Sequence, residues 1–331
     1  MILFKKSLIK IFPAYILNFY RALKSKPLIA QMKKLPIDSM GVDSTGVPWV
    51  RLKNNLIFYG FKPDSRQRLI YHLYKSDIPH IKEECFDVVD EIISRYEVPR
   101  SIPGETAFNP SSYQKLRDPI NDLQISKADK LLIAKKFQIS LGDIVVDVGA
   151  YLGYGTMKIA QRVGPTGKVI AFEPDPDVCY LLKRNIIENG LTNVIIIPKA
   201  ASSEPGDCTL YRKINTDSNS LDESVLETLG YEGLKQITVE VTTIDETLSS
   251  LSIDSVNSVN ITINGHEREA LLGMKNTLNN SSDVSLTLAG WYIKDNHRIC
   301  DVVKPDLENM GFNLRVGKLG RVLAWKNKSN K

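Results

Sequence analysis

The sequence predicts an α/β fold: a doubly wound, mostly parallel sheet that ends in an antiparallel hairpin and follows an N-terminal α+β region. From about residue 140, short apolar runs alternate with stretches of helical spacing, which is typical of a parallel sheet covered by helices. One of these runs, residues 144–148, leads into a turn that contains Gly149 and Gly153. Two final apolar runs flank residues 317–320 and predict the closing hairpin.

Composition is that of an ordinary globular protein. The chain has 331 residues, 43% of them hydrophobic and 24% charged, and a net charge of +5. No dense block of lysine and arginine is present, which argues against a nucleic-acid partner. The histidines lack metal-ligand spacing, so we expect no metal site. The four cysteines are widely scattered, which favours reduced thiols and a cytoplasmic location (Cys85, Cys179, Cys208, Cys300).

Residues 1–125 are predicted to form an accessory region that caps the main domain, which spans 126–331. The first thirty residues are apolar and basic, but Lys10 and Pro13 interrupt the apolar run, and it is too short to cross a membrane. An amphipathic segment fits better, either packed on its own protein or lying peripherally on the cytoplasmic face of a membrane. Further along, the sequence predicts a hairpin over 48–60, a helical region over 66–95 and a loop-rich connection over 98–125.

The main domain is predicted to begin with a helix over 126–137 and to continue as alternating strands and helices. Asp175 and Pro176 begin a helix that stops at Asn189-Gly190, because they are a favoured N-cap and first helical residue. Residues 203–236 are polar and predict a mobile loop beside the site. The remaining predicted strands are 144–147, 168–173, 193–200, 237–241, 256–265 and 283–288. The remaining predicted helices are 157–163, one from Thr243, 266–279, and 304–310 with Pro305 at its start.

Two acids accompany the glycine turn. Asp147 precedes Gly149 and Gly153 in the spacing Asp-x-Gly-x-x-x-Gly, which differs from the Gly-x-Gly-x-x-Gly of dinucleotide sites and suits a cationic or zwitterionic ligand. Glu173 ends the second strand, where α/β folds bind the two ribose hydroxyls of an adenosine. Together, the acids and the turn predict an S-adenosylmethionine site.

The order of motifs resembles the FkbM family of methyltransferases over residues 140–291. The resemblance rests on residues 146–154, 169–175, 189–200 and 243–245. It implies a class I methyltransferase (Rossmann-like) fold, S-adenosylmethionine as donor, and O-methylation of a hydroxyl on a sugar, glycan, lipid-linked or polyketide-like acceptor. The residues that the turn, the strand-end acid and the resemblance assign to the donor are Asp147, Gly149, Ala150, Tyr151, Gly153, Glu173, Pro174 and Asp175.

One motif departs from the family pattern. The family usually reads Lys-Ile-Asp-Val-Glu-Gly-x-Glu where this chain has Asn260, Thr262 and Asn264 at the three charged positions before the glycine. Amide and hydroxyl side chains cannot act as general bases at ordinary pH. The candidate bases are therefore His266 and Glu267, just beyond the turn; a base from the N-terminal region, or no dedicated base, are the alternatives.

Three functions compete at this point. An O-methyltransferase acting on a small molecule or glycan is the first, and a catalytically degenerate methyltransferase-like binding module is the second. A nicotinamide-dependent oxidoreductase is disfavoured by the glycine spacing and by Asp147. Nucleic-acid methylation is disfavoured because the chain has neither an Asn-Pro-Pro-Tyr motif nor a Pro-Cys dipeptide.

Overall fold

A computed structural model describes residues 37–53, 55–60, 126, 133–212, 219–228, 234–317 and 320–326. The predicted N-terminal amphipathic segment, the helical region 66–95 and the connection 98–125 lie outside these ranges, so they and the domain boundary at residue 125 stay predictions. Of the predicted helix 126–137, residues 133–136 are helical. Within the described ranges, no helix has both the length and the apolar character needed to cross a membrane.

The elements are numbered here in chain order over the described residues. The strands are β1 (Ile37–Val42), β2 (Pro48–Leu52), β3 (Ile57–Tyr59), β4 (Ile144–Val148), β5 (Lys168–Phe172), β6 (Val194–Ile197), β7 (Ala200–Ala201), β8 (Gly206–Arg212), β9 (Lys235–Thr242), β10 (Ser258–Ile261), β11 (Ser285–Ala289), β12 (Ile293–Lys294), β13 (His297–Arg298), β14 (Asn313–Val316) and β15 (Arg321–Trp325). The helices are α1 (Tyr154–Val163), α2 (Pro176–Glu188), α3 (Glu223–Thr228), α4 (Ile244–Ser250), α5 (Glu267–Leu272), α6 (Lys275–Asn280) and α7 (Ile299–Asn309).

The central sheet has seven strands in the order β14-β15-β11-β10-β4-β5-β6. Strands β11, β10, β4, β5 and β6 are parallel to one another. At one edge, β15 pairs antiparallel with β11, and β14 pairs antiparallel with β15. The predicted fold class is therefore confirmed, closing hairpin included. Strand order reverses between β4 and β10, and a doubly wound sheet binds ligands at the carboxyl ends of the strands beside such a switch.

Local chemistry accounts for the best-predicted boundaries. Asp175 caps α2 as predicted, because its Oδ1 accepts hydrogen bonds from the backbone N–H groups of Asp177 at 2.9 Å and Val178 at 3.4 Å. Thr243 caps α4 in the same way, with its Oγ1 3.0 Å from the backbone nitrogen of Glu246. Both caps depend on residues within three positions in sequence.

The described part of residues 203–236 contains more regular secondary structure than predicted. Instead of one loop it contains β8 and α3, and β8 pairs antiparallel with β9 over seven residue pairs. Strand β9 also pairs with β7, so a separate three-stranded sheet lies beside the central one. The predicted strand 193–200 is accordingly divided between β6 in the large sheet and β7 in the small one. The prediction failed because these pairings join distant segments.

The predicted helix 266–279 is two helices, α5 and α6, that meet at Gly273. A Cβ at Gly273 would lie 1.9 Å from the carbonyl oxygen of Ser202, so the backbones pack in direct contact there. Helix α6 is capped from elsewhere in the chain: the two carboxylate oxygens of Asp245 accept from the backbone N–H groups of Asn276 at 2.9 Å and Thr277 at 2.8 Å. This long-range cap lets a new helix begin.

Pro305 lies inside α7, not at its start as predicted. The helix begins six residues earlier because its buried side chains Ile299, Val303 and Leu307 recur every four residues and pack in the main core. Its first turn is also held in place, since the N–H of Ile299 donates to the Tyr292 carbonyl at 3.0 Å. Tertiary packing thus overrides the local preference of proline for a helix start.

Candidate functional site

A pocket opens at the carboxyl ends of β4, β5 and β10, beside the switch in strand order. It encloses about 590 Å³, part of which is open solvent. At the strand ends, the pocket is lined by residues 148, 149 and 151 at the end of β4, 172–174 at the end of β5 and 262–264 after β10. Residues 199–201, Leu210 and the segment 219–221 complete the lining. Of the predicted donor-binding residues, Gly149, Tyr151, Glu173 and Pro174 line this pocket, while Asp147, Ala150, Gly153 and Asp175 lie behind it.

The glycine turn has a backbone that only glycine can supply at two positions. Gly149 has φ +88°, and a Cβ there would lie 2.1 Å from the carbonyl oxygen of Thr262 at the end of β10. Gly153 has φ +82°, and its Cβ would lie 2.4 Å from Cδ1 of Leu182 on α2. Between them, Tyr151 also adopts a left-handed conformation, with φ 54°. The turn is therefore held close to both neighbouring elements.

Glu173 directs its carboxylate at this turn from the end of β5. Its Oε2 accepts from the backbone N–H of Tyr151 at 2.9 Å, and its Oε1 accepts from that of Asp175 at 3.0 Å. Burial raises the pKa of Glu173 to about 8, and the negative charges of Asp175 and Asp147 add to this effect. A carboxylate has about four acceptor positions, so two remain for further hydrogen bonds. That is the acceptor set needed by two adjacent ribose hydroxyls.

Asp147 is buried behind the turn. Its Oδ2 accepts from the Thr156 hydroxyl at 2.7 Å and its Oδ1 accepts from the Asn260 amide at 2.9 Å, so it joins β4 to α1 and β10. Burial raises its pKa. Both carboxylate oxygens thus have protein donors, and Asp147 supports the start of the glycine turn.

Asp175 anchors a segment that forms the far wall of the pocket. Besides capping α2, its carboxylate lies 2.7 Å from Nε of Arg212 and 2.8 Å from Nδ2 of Asn219, both to Oδ2. Asn264 holds the same segment from the other side. Its side-chain Nδ2 donates to the backbone carbonyl of Asn219 at 2.7 Å, and its backbone carbonyl accepts from the Ser220 hydroxyl at 2.7 Å. Sequence analysis expected a loop beside the site but not these anchors, since they join residues about 45 positions apart.

The two predicted bases lie outside the pocket lining. Glu267 is fully buried, and its carboxylate accepts from the backbone N–H groups of Ile263 at 3.1 Å and Gly265 at 2.8 Å, which closes the turn after β10. Burial raises its pKa to about 7. These contacts are those of a turn-supporting residue, and its catalytic role stays a prediction.

His266 is placed differently. Its Nε2 lies 3.0 Å from the hydroxyl of Ser202, which directly follows the lining residue Ala201, and its Nδ1 lies 3.8 Å from a carboxylate oxygen of Glu269. Burial lowers the pKa of His266, which favours the neutral imidazole. Among the residues that the structure describes, no group of His, Cys, Asp and Glu is arranged to hold a metal ion.

The family model of the methyltransferase FkbM domain matches residues 147–312, half of the chain. The match runs from the buried acid before the glycine turn to the residue before β14. The chain belongs to the FkbM methyltransferase family. A second model, protein-L-isoaspartate(D-aspartate) O-methyltransferase, matches residues 78–201. The FkbM resemblance seen in the sequence is thereby confirmed.

The chain is also similar to individual proteins. Protein-L-isoaspartate O-methyltransferase 1 of Archaeoglobus fulgidus is 23% identical over 184 residues, which cover 54% of this chain and 82% of that protein. Hexuronic acid methyltransferase AglP of Haloferax volcanii is 27% identical over 172 residues, which cover 52% of this chain and 66% of that protein. Among solved structures, Aeropyrum pernix fibrillarin with bound S-adenosyl-L-methionine aligns at 12% identity and a TM-score of 0.40, covering 88% of this chain and 99% of that one.

As a member of this family, the chain is an S-adenosylmethionine-dependent methyltransferase, and its strand order is that of a class I methyltransferase fold. The residues present fit this donor. The Glu173 carboxylate has acceptor positions left for a ribose diol, and Gly149 lines the pocket with backbone alone. S-adenosylmethionine supplies a methyl group on a sulfonium, already activated for in-line displacement.

Proposed function

We propose that this protein O-methylates a hydroxyl group on a sugar, glycan, lipid-linked or polyketide-like acceptor. The observation that carries the proposal is a group of polar, uncharged residues that line the same pocket as Glu173: Thr262, Asn264, Asn219 and Ser220. Hydroxyl and amide groups can donate and accept hydrogen bonds, as recognition of a polyhydroxylated molecule requires. The similarity to a hexuronic acid methyltransferase supports a sugar as the acceptor class.

In this proposal, Glu173 binds the ribose hydroxyls and residues 149–153 bring backbone close to the methionine part of the donor. Asp147 acts through its hydrogen bonds to Thr156 and Asn260, which fix the start of the turn. Asp175 acts through the anchored wall. Water is excluded from the transfer by the same wall, because the segment 219–221 is tied to both sides of the pocket.

His266 is the better supported of the two candidate bases. A general base must be unprotonated at the working pH, and burial keeps the imidazole neutral. Its Nε2 lies 3.0 Å from the hydroxyl of Ser202, which is adjacent in sequence to the pocket-lining residue Ala201. Glu267 would then support the turn that presents Asn264 and would take no part in proton transfer.

A carboxylate acceptor is the second candidate. A carboxylate is already ionised at neutral pH and needs no base, which suits a wall where Thr262 and Asn264 replace acids. Both acceptor classes are testable with methyl-labelled S-adenosylmethionine, a panel of neutral glycosides and their hexuronic acid counterparts, and Glu173→Gln as the control. An ether product resists alkaline hydrolysis, whereas a methyl ester is cleaved.

Labelled ether on a neutral glycoside supports the first proposal, and alkali-labile label on the uronic acid supports the second. Donor binding without transfer to any acceptor would favour the remaining alternative, a catalytically degenerate module that binds S-adenosylmethionine. Peripheral membrane contact through residues 1–30 and a cytoplasmic location stay predictions; a vesicle flotation assay with the full chain and a chain lacking these residues tests the first.

A further inference from the structure

Two asparagines on one face of α2 cover the open edge of the N-terminal sheet. Asn189 pairs with Ile57: its Oδ1 accepts from the Ile57 N–H at 2.9 Å and its Nδ2 donates to the Ile57 carbonyl at 2.7 Å. Asn185 pairs in the same way with Tyr59, at 2.7 Å to the N–H and 3.3 Å to the carbonyl. Each side-chain amide therefore stands in for a peptide group of a neighbouring strand.

The match follows from the geometry of the two elements. Four residues of a helix rise about 6 Å, and two residues of a strand rise about 6.6 Å. Asn185 and its neighbour four positions on, the C-cap residue Asn189, consequently meet Tyr59 and Ile57, which lie two positions apart in β3. The pairing satisfies the exposed edge of β3, which has β2 on its other side only.

Asn185 differs from Asn189 in one further contact. Its Nδ2 also donates to the carbonyl of Leu152 at 2.8 Å, and the side chain is fully buried. Leu152 lies in the glycine turn, next to Tyr151, whose N–H is bound by Glu173. The turn is therefore held from the pocket side by a carboxylate and from the opposite side by Asn185.

The N-terminal sheet reaches the turn by a second route. The Tyr154 hydroxyl, on the first residue of α1, donates to the carbonyl of Tyr59 at 3.0 Å. The ring of Phe58 packs edge-on against Tyr154, with 5.3 Å between ring centroids. Side chains of β2, β3, the turn and α2 share one buried cluster, which includes Leu152 and Leu182.

This arrangement matters because the turn contains a strained residue. A non-glycine residue at positive φ, such as Tyr151, persists only where its surroundings hold it there. If the contact to Leu152 is lost, other conformations of the turn become populated, and the apparent donor affinity falls by the fraction that remains competent.

We propose that Asn185 is a positioning residue for the methyl-donor site, acting through the Leu152 carbonyl, and that residues 37–59 are a structural part of that site. The inference rests on the donor placement given under the proposed function. It assigns the N-terminal sheet to the donor side, whereas the sequence predicted only an accessory region that caps the main domain.

Asn185→Ala and Asn189→Ala make a matched pair, since each removes an amide from the edge of β3 but only the first releases Leu152. The dissociation constant of S-adenosylmethionine is measured by isothermal titration, together with the thermal midpoint of each variant. Both variants are expected to lower the midpoint, while Asn185→Ala weakens donor binding at least tenfold and Asn189→Ala changes it less than twofold. Equal effects of the two on binding, or no effect of Asn185→Ala, would overturn the proposal.

Tyr154→Phe serves as the second variant, because it keeps the ring and removes only the hydrogen bond to Tyr59. We expect it to weaken donor binding two- to fivefold, and unchanged binding would count against a role for the sheet even if Asn185→Ala does not fold. A wild type that binds no donor overturns both this inference and the proposed function. A wild type that binds donor but methylates no acceptor defeats the proposed acceptor chemistry alone.

Discussion

The amide of Asn260 donates a hydrogen bond to the carboxylate of Asp147, with 2.9 Å between Nδ2 and Oδ1. The two residues lie opposite each other in the register of β10 and β4. The family pattern usually has a lysine at the position of Asn260, so a neutral donor here replaces a charged one without leaving the buried acid unpaired. Although Asn260 departs from the family pattern, the hydrogen bond by which it supports Asp147 and the glycine turn is present.

Removing this amide should destabilise the protein. Asn260→Ala leaves one oxygen of a buried carboxylate without its donor, and we expect the free energy of unfolding to fall by about 1–3 kcal/mol. Chemical denaturation measures it. Asn276→Ala is the control, since Asn276 is exposed. An equal and small change in both variants would mean that the Asn260 contact contributes nothing to stability.

Two buried carboxyls should make the donor-free protein less stable as pH rises. Burial raises the pKa of Glu267 to about 7 and that of Glu173 to about 8, both from 4.5, so the folded state holds protons that the unfolded state releases. This stability is fully present below pH 4.5 and is lost as pH rises through 7 and 8, with a slope of up to about 1.4 kcal/mol per pH unit for each group.

Denaturant titrations between pH 5 and 9 measure this slope. Glu267→Gln should reduce it, because one of the two groups no longer ionises, and should also cost stability at every pH, since an amide cannot accept from both turn N–H groups. A slope that is unchanged in Glu267→Gln would show that Glu267 titrates as an ordinary exposed acid.

Catalysis, if His266 is the base, should fail selectively in His266→Gln. General base catalysis contributes about 10²–10⁴-fold, so kcat should fall by that factor while the donor dissociation constant stays the same. The exposed His297, changed to Gln, is the control. Burial lowers the pKa of His266 below 6.5, the ordinary value for histidine. In the wild type, the rate should therefore fall only at pH values below 6.5. Full activity in His266→Gln would remove it from the mechanism.

Sequence reasoning succeeded where the determining contacts are local. The strand that leads into Gly149, the cap at Asp175 and the closing hairpin all depend on neighbours within a few residues, and the structure confirms each as an element. It failed where distant segments decide, as in the pairing of β8 with β9, the cap that Asp245 provides for α6, and the start of α7 before Pro305.

The candidate site shows the same division. Gly149 and Glu173 were identifiable from spacing, because they follow successive strands and the carboxyl ends of parallel strands meet at one edge. Asn219 and Ser220 were within a polar run but had no signal of their own, since their anchors are Asp175 and Asn264. The role proposed for Asn185 had no signal either, because its three side-chain hydrogen bonds go to Tyr59 and Leu152, which lie in two distant segments.

Donor affinity should depend on pH through Glu173. In the proposed donor site, ribose hydroxyls donate to the ionised carboxylate. Burial raises the pKa of Glu173 to about 8 in the donor-free protein, so binding at lower pH must first release a proton. We expect the affinity for S-adenosylmethionine to weaken up to about tenfold per unit as pH falls below 8, and to level off above it. Isothermal titration in buffers of different ionisation enthalpy reports the released proton. A flat profile would place the ribose elsewhere.

The most direct test of the account is titration of S-adenosylmethionine into wild type, Glu173→Gln and the exposed control Glu188→Gln at pH 8.5. Loss of a charged hydrogen-bond acceptor costs about 1.5–3 kcal/mol, so Glu173→Gln should bind at least tenfold more weakly, while Glu188→Gln matches the wild type. Binding by Glu173→Gln as tight as the wild type would contradict the assignment of this pocket as the methyl-donor site.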